Sequence, residues 1–153
     1  MLLVIFLGFF IVKTDYLYTD VNEVTKNYIS FNNTDSTDIL KVKNIKKRTS
    51  ENGRSLLNQS SVLFKIYGDE EKEFDIVLYP IGNNIDDKYI YYYLSLDNKK
   101  VSGNLSSILS REDGGKTIYH GVKNDSDYYR LNMWISNSYD AKVKNISYEV
   151  KIK

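Results

Sequence analysis

Tyr89-Ile90-Tyr91-Tyr92-Tyr93-Leu94-Ser95-Leu96 decides the fold. Tyrosine carries a large apolar ring with a polar tip and suits a pleated, half-buried surface. At a period of two the run puts tyrosine on both faces of one strand. Asp97-Asn98-Lys99-Lys100 supplies turn chemistry after it, and Val101 to Leu109 reads as a short strand and a loop.

The same period extends in both directions. Upstream, Val62, Phe64 and Ile66 alternate with Leu63, Lys65 and Tyr67, and Phe74, Ile76 and Leu78 alternate with Asp75, Val77 and Tyr79. Gly68-Asp69-Glu70-Glu71-Lys72 lies between, so the two runs form a hairpin candidate, and Pro80 ends the second because it cannot donate to a ladder. Ile39 to Ile45 is a further strand with an irregularity, and Lys46 to Ser60 is a polar loop around Asn52-Gly53. Downstream, Asp113-Gly114-Gly115 turns into Thr117-Ile118-Tyr119-His120-Gly121-Val122. Tyr129, Leu131, Met133 and Ile135 alternate with Tyr128, Arg130, Asn132 and Trp134, and a closing strand places Ile146, Tyr148, Val150 and Ile152 on one face.

Roughly seven or eight strands at this spacing, with no β-α-β alternation, predict an all-β domain over residues 38–153. One-sided alternation implies antiparallel sheets, and two such sheets packed together give a β-sandwich, Ig-like or jelly-roll.

Composition agrees. The chain has 153 residues with 14 Tyr, one Pro and no Cys. Ala141 is its sole alanine, so the best helix former is almost missing. A net charge of +1, from 21 basic and 20 acidic residues, argues against electrostatic capture of nucleic acid. The absence of Cys excludes disulfides, thiolate metal sites and thiol nucleophiles. It also fits export into an envelope of the Gram-positive type, where oxidative folding is not relied upon.

Met1 to Val12 reads MLLVIFLGFFIV, without a charged or polar side chain. As a helix it spans roughly 18 Å against a hydrocarbon core of ~30 Å, the length of a signal-peptide h-region. No basic leader precedes the run and no small-x-small cleavage site follows it. Two readings stand: a start displaced upstream, or a short uncleaved signal-anchor helix over residues 1–13. A buried strand or core helix is the bland alternative. Tyr16 and Tyr18 suit the headgroup belt. Residues 14–37 read as a polar stalk, with a short helix from Asp20 to Ser30 whose Asp20 and Glu23 have capping-box spacing.

No residue pattern resembles an active site. His120 is the only histidine, no G-x-S-x-G elbow accompanies it, and a packed or edge position in its strand accounts for it. Zinc would need further His or Cys ligands. The acidic groups Asp69-Glu70-Glu71-Glu73, Asp86-Asp87 and Glu112-Asp113 fall at turns, where carboxylates are ordinarily solvated. Asn83, Asn84, Asp86 and Asp87 offer hard oxygen ligands for calcium without an EF-hand spacing. No enzyme activity, cofactor or metal is expected. The candidate binding face is aromatic and cationic: Tyr89, Tyr91, Tyr93, Tyr128, Arg130 and Trp134, able to stack on sugars or partner proteins. Core packing and cross-strand pairing are the competing account of the same residues.

Phe74-Asp75-Ile76-Val77-Leu78-Tyr79-Pro80, Asp113-Gly114-Gly115-Lys116-Thr117-Ile118-Tyr119 and Tyr129-Arg130-Leu131-Asn132-Met133-Trp134-Ile135, with the closing strand Ile146 to Lys153, follow an order that resembles exported single-domain β-sandwich proteins of Gram-positive-type bacteria. The pattern is distantly similar to the TasA and camelysin-like biofilm matrix proteins. That resemblance implies a jelly-roll domain. The leading expectation is a cell-surface protein, anchored or secreted, with a structural or adhesive role and self-association through an exposed edge strand, for which the stalk at residues 14–37 serves as tether or as donated strand. Camelysin-like proteins have been classed as metallopeptidases, and this sequence lacks a ligand set for that activity. A displayed carbohydrate- or peptide-binding module is the alternative. The expected partners are the membrane, through the N-terminal segment, and a surface polymer or further copies of the chain.

Overall fold

A computed structural model describes residues 26–30, 40–55, 61–67, 71–82, 85–96, 99–123, 128–143 and 145–153. The apolar N-terminal run and most of the expected stalk lie outside the described residues.

The elements in chain order are β1 (Lys26–Ser30), β2 (Lys41–Val42), β3 (Lys47–Arg48), a helical turn α1 (Ser50–Gly53), β4 (Ser61–Tyr67), β5 (Glu73–Ile81), β6 (Ile90–Leu96), β7 (Lys99–Asn104), β8 (Lys116–Val122), β9 (Tyr128–Ser136) and β10 (Ser147–Ile152). Single turns of 3-10 helix occupy Asp87–Tyr89 and Leu105–Ser107. The described residues are mostly β, with almost no helix.

The strands form two sheets. The front sheet runs β1-β4-β9-β6-β7, with β3 joining β9, and the back sheet runs β2-β10-β5-β8. Alternation directs one face of each sheet inward. Ile90, Tyr92, Leu94 and Leu96 of β6 are buried, as are Tyr129, Leu131, Met133 and Ile135 of β9. Phe74, Ile76 and Leu78 of β5 meet them from the back sheet beside Tyr148, Val150 and Ile152 of β10. Each such side chain contributes about 1.5–3 kcal/mol on leaving water, so this shared cluster holds the two layers together. Four aromatics join the layers at one place. Phe64 stacks on Tyr129 at 5.5 Å, and Phe74 meets Tyr129 edge-on at 6.0 Å. Tyr119 closes the group at 6.1 Å from Phe74 and 6.2 Å from Tyr129.

Three expectations need correction. Antiparallel pairing is not universal: β1 joins β4 in parallel, and β3 joins β9 in parallel, so the front sheet is mixed. Alternation fixes which face a strand buries but not the direction of its neighbour. The expected hairpin of Val62–Ile66 with Phe74–Leu78 does not form, because β4 pairs with β9 and β5 pairs with β10 and β8. Both strands have an apolar inward face, and that is equally satisfied by packing across the core as by pairing side by side. The short helix expected to end at Ser30 is replaced over Lys26–Ser30 by β1, whose backbone gains its partners from β4.

Candidate functional site

The outer face of the front sheet carries most of the aromatic and cationic candidates. Trp134 projects outward from β9, opposite its inward neighbours Met133 and Ile135, yet is only 2% exposed. Tyr91 of β6, its registered partner, stacks on it at 5.8 Å with the rings 14° apart. From the other side α1 lies over the indole. Thr49 caps that turn by accepting a bond from the Asn52 N–H at 3.2 Å. Gly53 sits so close that a Cβ there would fall 2.2 Å from the Trp134 ring.

Asn132 fastens the covering segment to the sheet. It is fully buried, donates through Nδ2 to the carbonyls of Gly53 and Ser55 at 3.1 Å each, and accepts from Ser61 Oγ at 2.6 Å. Arg54 then reaches over the Tyr93 ring at 5.9 Å. Tyr91 and Tyr93 are half-buried. The remaining candidates are dispersed. Tyr89, in the 3-10 turn, packs against Tyr139 at 5.0 Å with Lys88 over its ring. Tyr128 is exposed beside Lys65, and Arg130 is half-buried. The six residues therefore do not make one open platform, and Trp134 is an anchor for α1.

A second cluster, which the sequence reading did not assemble, lies on the outer face of the back sheet. His120 of β8 stands opposite Asp75 of β5, and its Nδ1 lies 2.6 Å from Asp75 Oδ1. Its Nε2 is 4.0 Å from Glu73 Oε1. Arg111, from the tight turn before β8, donates to Asp75 Oδ2 at 3.1 Å and to Thr117 Oγ1 at 3.0 Å. Asp113 of that turn accepts from the Tyr79 hydroxyl at 2.5 Å and from the Gly115 N–H at 3.1 Å. Lys151 and Lys153 lie over the Tyr79 ring at 5.1 and 5.7 Å.

Charge follows this geometry. The hydrogen bond to Asp75 raises the His120 pKa above its ordinary 6.5, against slight desolvation. Desolvation works against ionisation of Asp75, but the bonds to His120 and Arg111 overcome it and hold the carboxyl below the usual range. Burial, then the bond to Asp113, pushes the Tyr79 phenol up to about 12. Asp113 moves down because the Tyr79 hydroxyl and the Gly115 N–H favour its ionised form. Burial likewise raises Tyr148, with Asp87 adding to it.

His120 thus meets two carboxylates. It is 61% exposed, on an outer sheet face, and the Thr117 hydroxyl accepts from Arg111. Among the described residues no group of three or more His, Asp or Glu side chains is disposed to hold a metal ion. Of the calcium candidates, Asn83 and Asn84 lie outside the described residues. Asp86 caps the 3-10 turn by accepting the Lys88 N–H at 3.0 Å, and Asp87 pairs with Lys116 at 3.5 Å. Among the described residues no helix is long and apolar enough to cross a membrane.

Asp75 has outward parity in the sequence, but it falls opposite His120 only when β5 and β8 are known to pair. No family model and no curated protein sequence matches the chain.

Proposed function

We propose that this chain is a cell-surface β-sandwich protein with a structural, adhesive role, exported and held at the membrane or released from it. Copies join through β1. The observation that carries the proposal is the attachment of β1, which pairs in parallel with β4 from Lys26↔Leu63 to Ser30↔Tyr67. Backbone ladders are indifferent to which chain supplies the strand. The edge of β4 that accepts β1 from its own chain therefore accepts the same five residues from a neighbour. An extended N-terminal segment that completes the sheet edge of the next copy gives an open, head-to-tail assembly, the form a matrix or adhesive fibre requires. The apolar run Met1–Val12 supports export.

The alternative, a displayed carbohydrate- or peptide-binding module, draws less support. Its most promising ring, Trp134, lies under α1 and cannot stack on a sugar without displacing that segment.

Replacing Tyr28 and Ile29 together by Pro tests the proposal. Alternate residues of a strand face its partner, so one of two adjacent prolines removes a donor to β4. Light scattering of the full chain should find concentration-dependent assemblies, and the double variant should lose the extended ones, forming nothing larger than a dimer, with the far-ultraviolet signature of a folded β domain. A wild-type chain that is monomeric at every concentration, or a variant that assembles equally well, would overturn the proposal.

A further inference from the structure

We infer that β8 is a second contact surface, through which two copies pair edge to edge about a two-fold axis at His120. This goes beyond exchange of β1 and uses the opposite sheet, so either interface can fail alone.

The backbone sets the geometry. Asp75 exchanges both hydrogen bonds with Lys153, at 2.9 and 3.0 Å, so its N–H and C=O face β10 rather than β8. Its partner His120 therefore turns its own N–H and C=O away from β5, to the open edge of the back sheet. By alternation Val122 does the same, whereas Tyr119 and Gly121 spend theirs on Ile76 and Phe74. Among the described residues the outer flank of β8 is paired at Lys116 alone, by Ser110.

The side chains leave this edge unguarded. Natural sheets protect edges with lysines or by keeping the strand very short. β7 carries the adjacent exposed Lys99 and Lys100, and β2 has two residues. From Thr117 to Val122, β8 has no lysine, and Val122 is 51% exposed. A bulge at Ile118, which lacks a partner between Ile76↔Tyr119 and Val77↔Thr117, limits the pairing stretch to the residues around His120.

A second copy fits that stretch. Antiparallel pairing centred on His120 gives that residue a reciprocal pair of backbone hydrogen bonds. It sets Tyr119 of each copy opposite Gly121 of the other and covers Val122. Charge is compatible: each imidazole brings its own Asp75 at 2.6 Å and Glu73 at 4.0 Å, so two facing histidines are flanked by carboxylates on both sides.

Two variants of the full chain test the interface. His120→Cys should form a disulfide-linked dimer under mild oxidation, because the chain has no other cysteine and facing residues of such a pair lie within bridging distance. Val122→Lys, which adds a guarding charge without touching the pairing to β5, should raise the dimer dissociation constant about tenfold or more in sedimentation, with melting temperature unchanged. Combining each with the double proline at Tyr28 and Ile29 isolates this contact from β1 exchange. Absence of the cross-link, or a dimer constant indifferent to Val122→Lys, would overturn the inference.

Discussion

Asn132 and His120 are both outward-facing strand residues, and their surroundings give them opposite roles. Asn132 is sealed in, and its bonds to Ser61 and Gly53 satisfy groups that water cannot reach, with a further one to the half-buried Ser55. Removing one member of a buried network leaves its partners unpaired, at about 1–3 kcal/mol for each stranded group. Asn132→Ala should therefore lower stability by about 2–4 kcal/mol in urea denaturation. A loss under half a kcal/mol would mean that the network does not hold α1. His120 is solvated, and its bond to Asp75 acts on its titration. Its midpoint, followed by NMR, should lie above 6.5 and fall towards that value in Asp75→Asn. The sign of the linkage is fixed by the two shifts. The raised His120 value stabilises the fold at pH below its unfolded pKa, and that contribution is lost as pH rises through the folded one. The lowered Asp75 value stabilises above its unfolded pKa and is lost as pH falls through the folded one. A wild-type His120 midpoint at or below 6.5 would contradict the assigned pair. Neither residue's role was legible beforehand, since both depend on partners distant in sequence.

At the scale of elements, β6, β9 and β10 were readable because each alternates over a full strand and buries one face in the shared core. The segment Lys46–Ser60 was not, and it contains β3 and α1. Its described residues are polar because α1 lies on the outside of the front sheet, and the burial of Trp134 beneath it, the bonds from Asn132 and the pairing of β3 with β9 give it a structural role. Gly53 is the point of closest approach. Gly53→Ala must push the indole or lift the turn, which should reduce stability by about 1–3 kcal/mol. The same variant should red-shift the emission of Trp134, the single tryptophan of the chain. Unchanged emission and stability would show that α1 does not pack on the ring.

For the whole molecule, strand content and the inward faces followed from periodicity, whereas pairing did not. Phe74-Asp75-Ile76-Val77-Leu78 specifies a strand with a buried side, but any strand with a complementary edge can lie beside it, and β10 and β8 do rather than β4. The parallel attachment of β1 escaped notice for the same reason: Lys26–Ser30 is too short and polar to show a period, and its structure derives from the neighbouring ladder. A strand held by its backbone can be supplied by another copy, which is the basis of the proposed assembly.

The most direct measurement uses the register Tyr28↔Lys65. Cysteines introduced at both positions in the full chain, which has none of its own, should oxidise across the parallel pair. Exchange of β1 between copies predicts a ladder of disulfide-linked oligomers on a non-reducing gel, collapsing to one band on reduction. A single band of internally bridged monomer at every protein concentration would contradict it and leave β1 as the edge strand of its own domain.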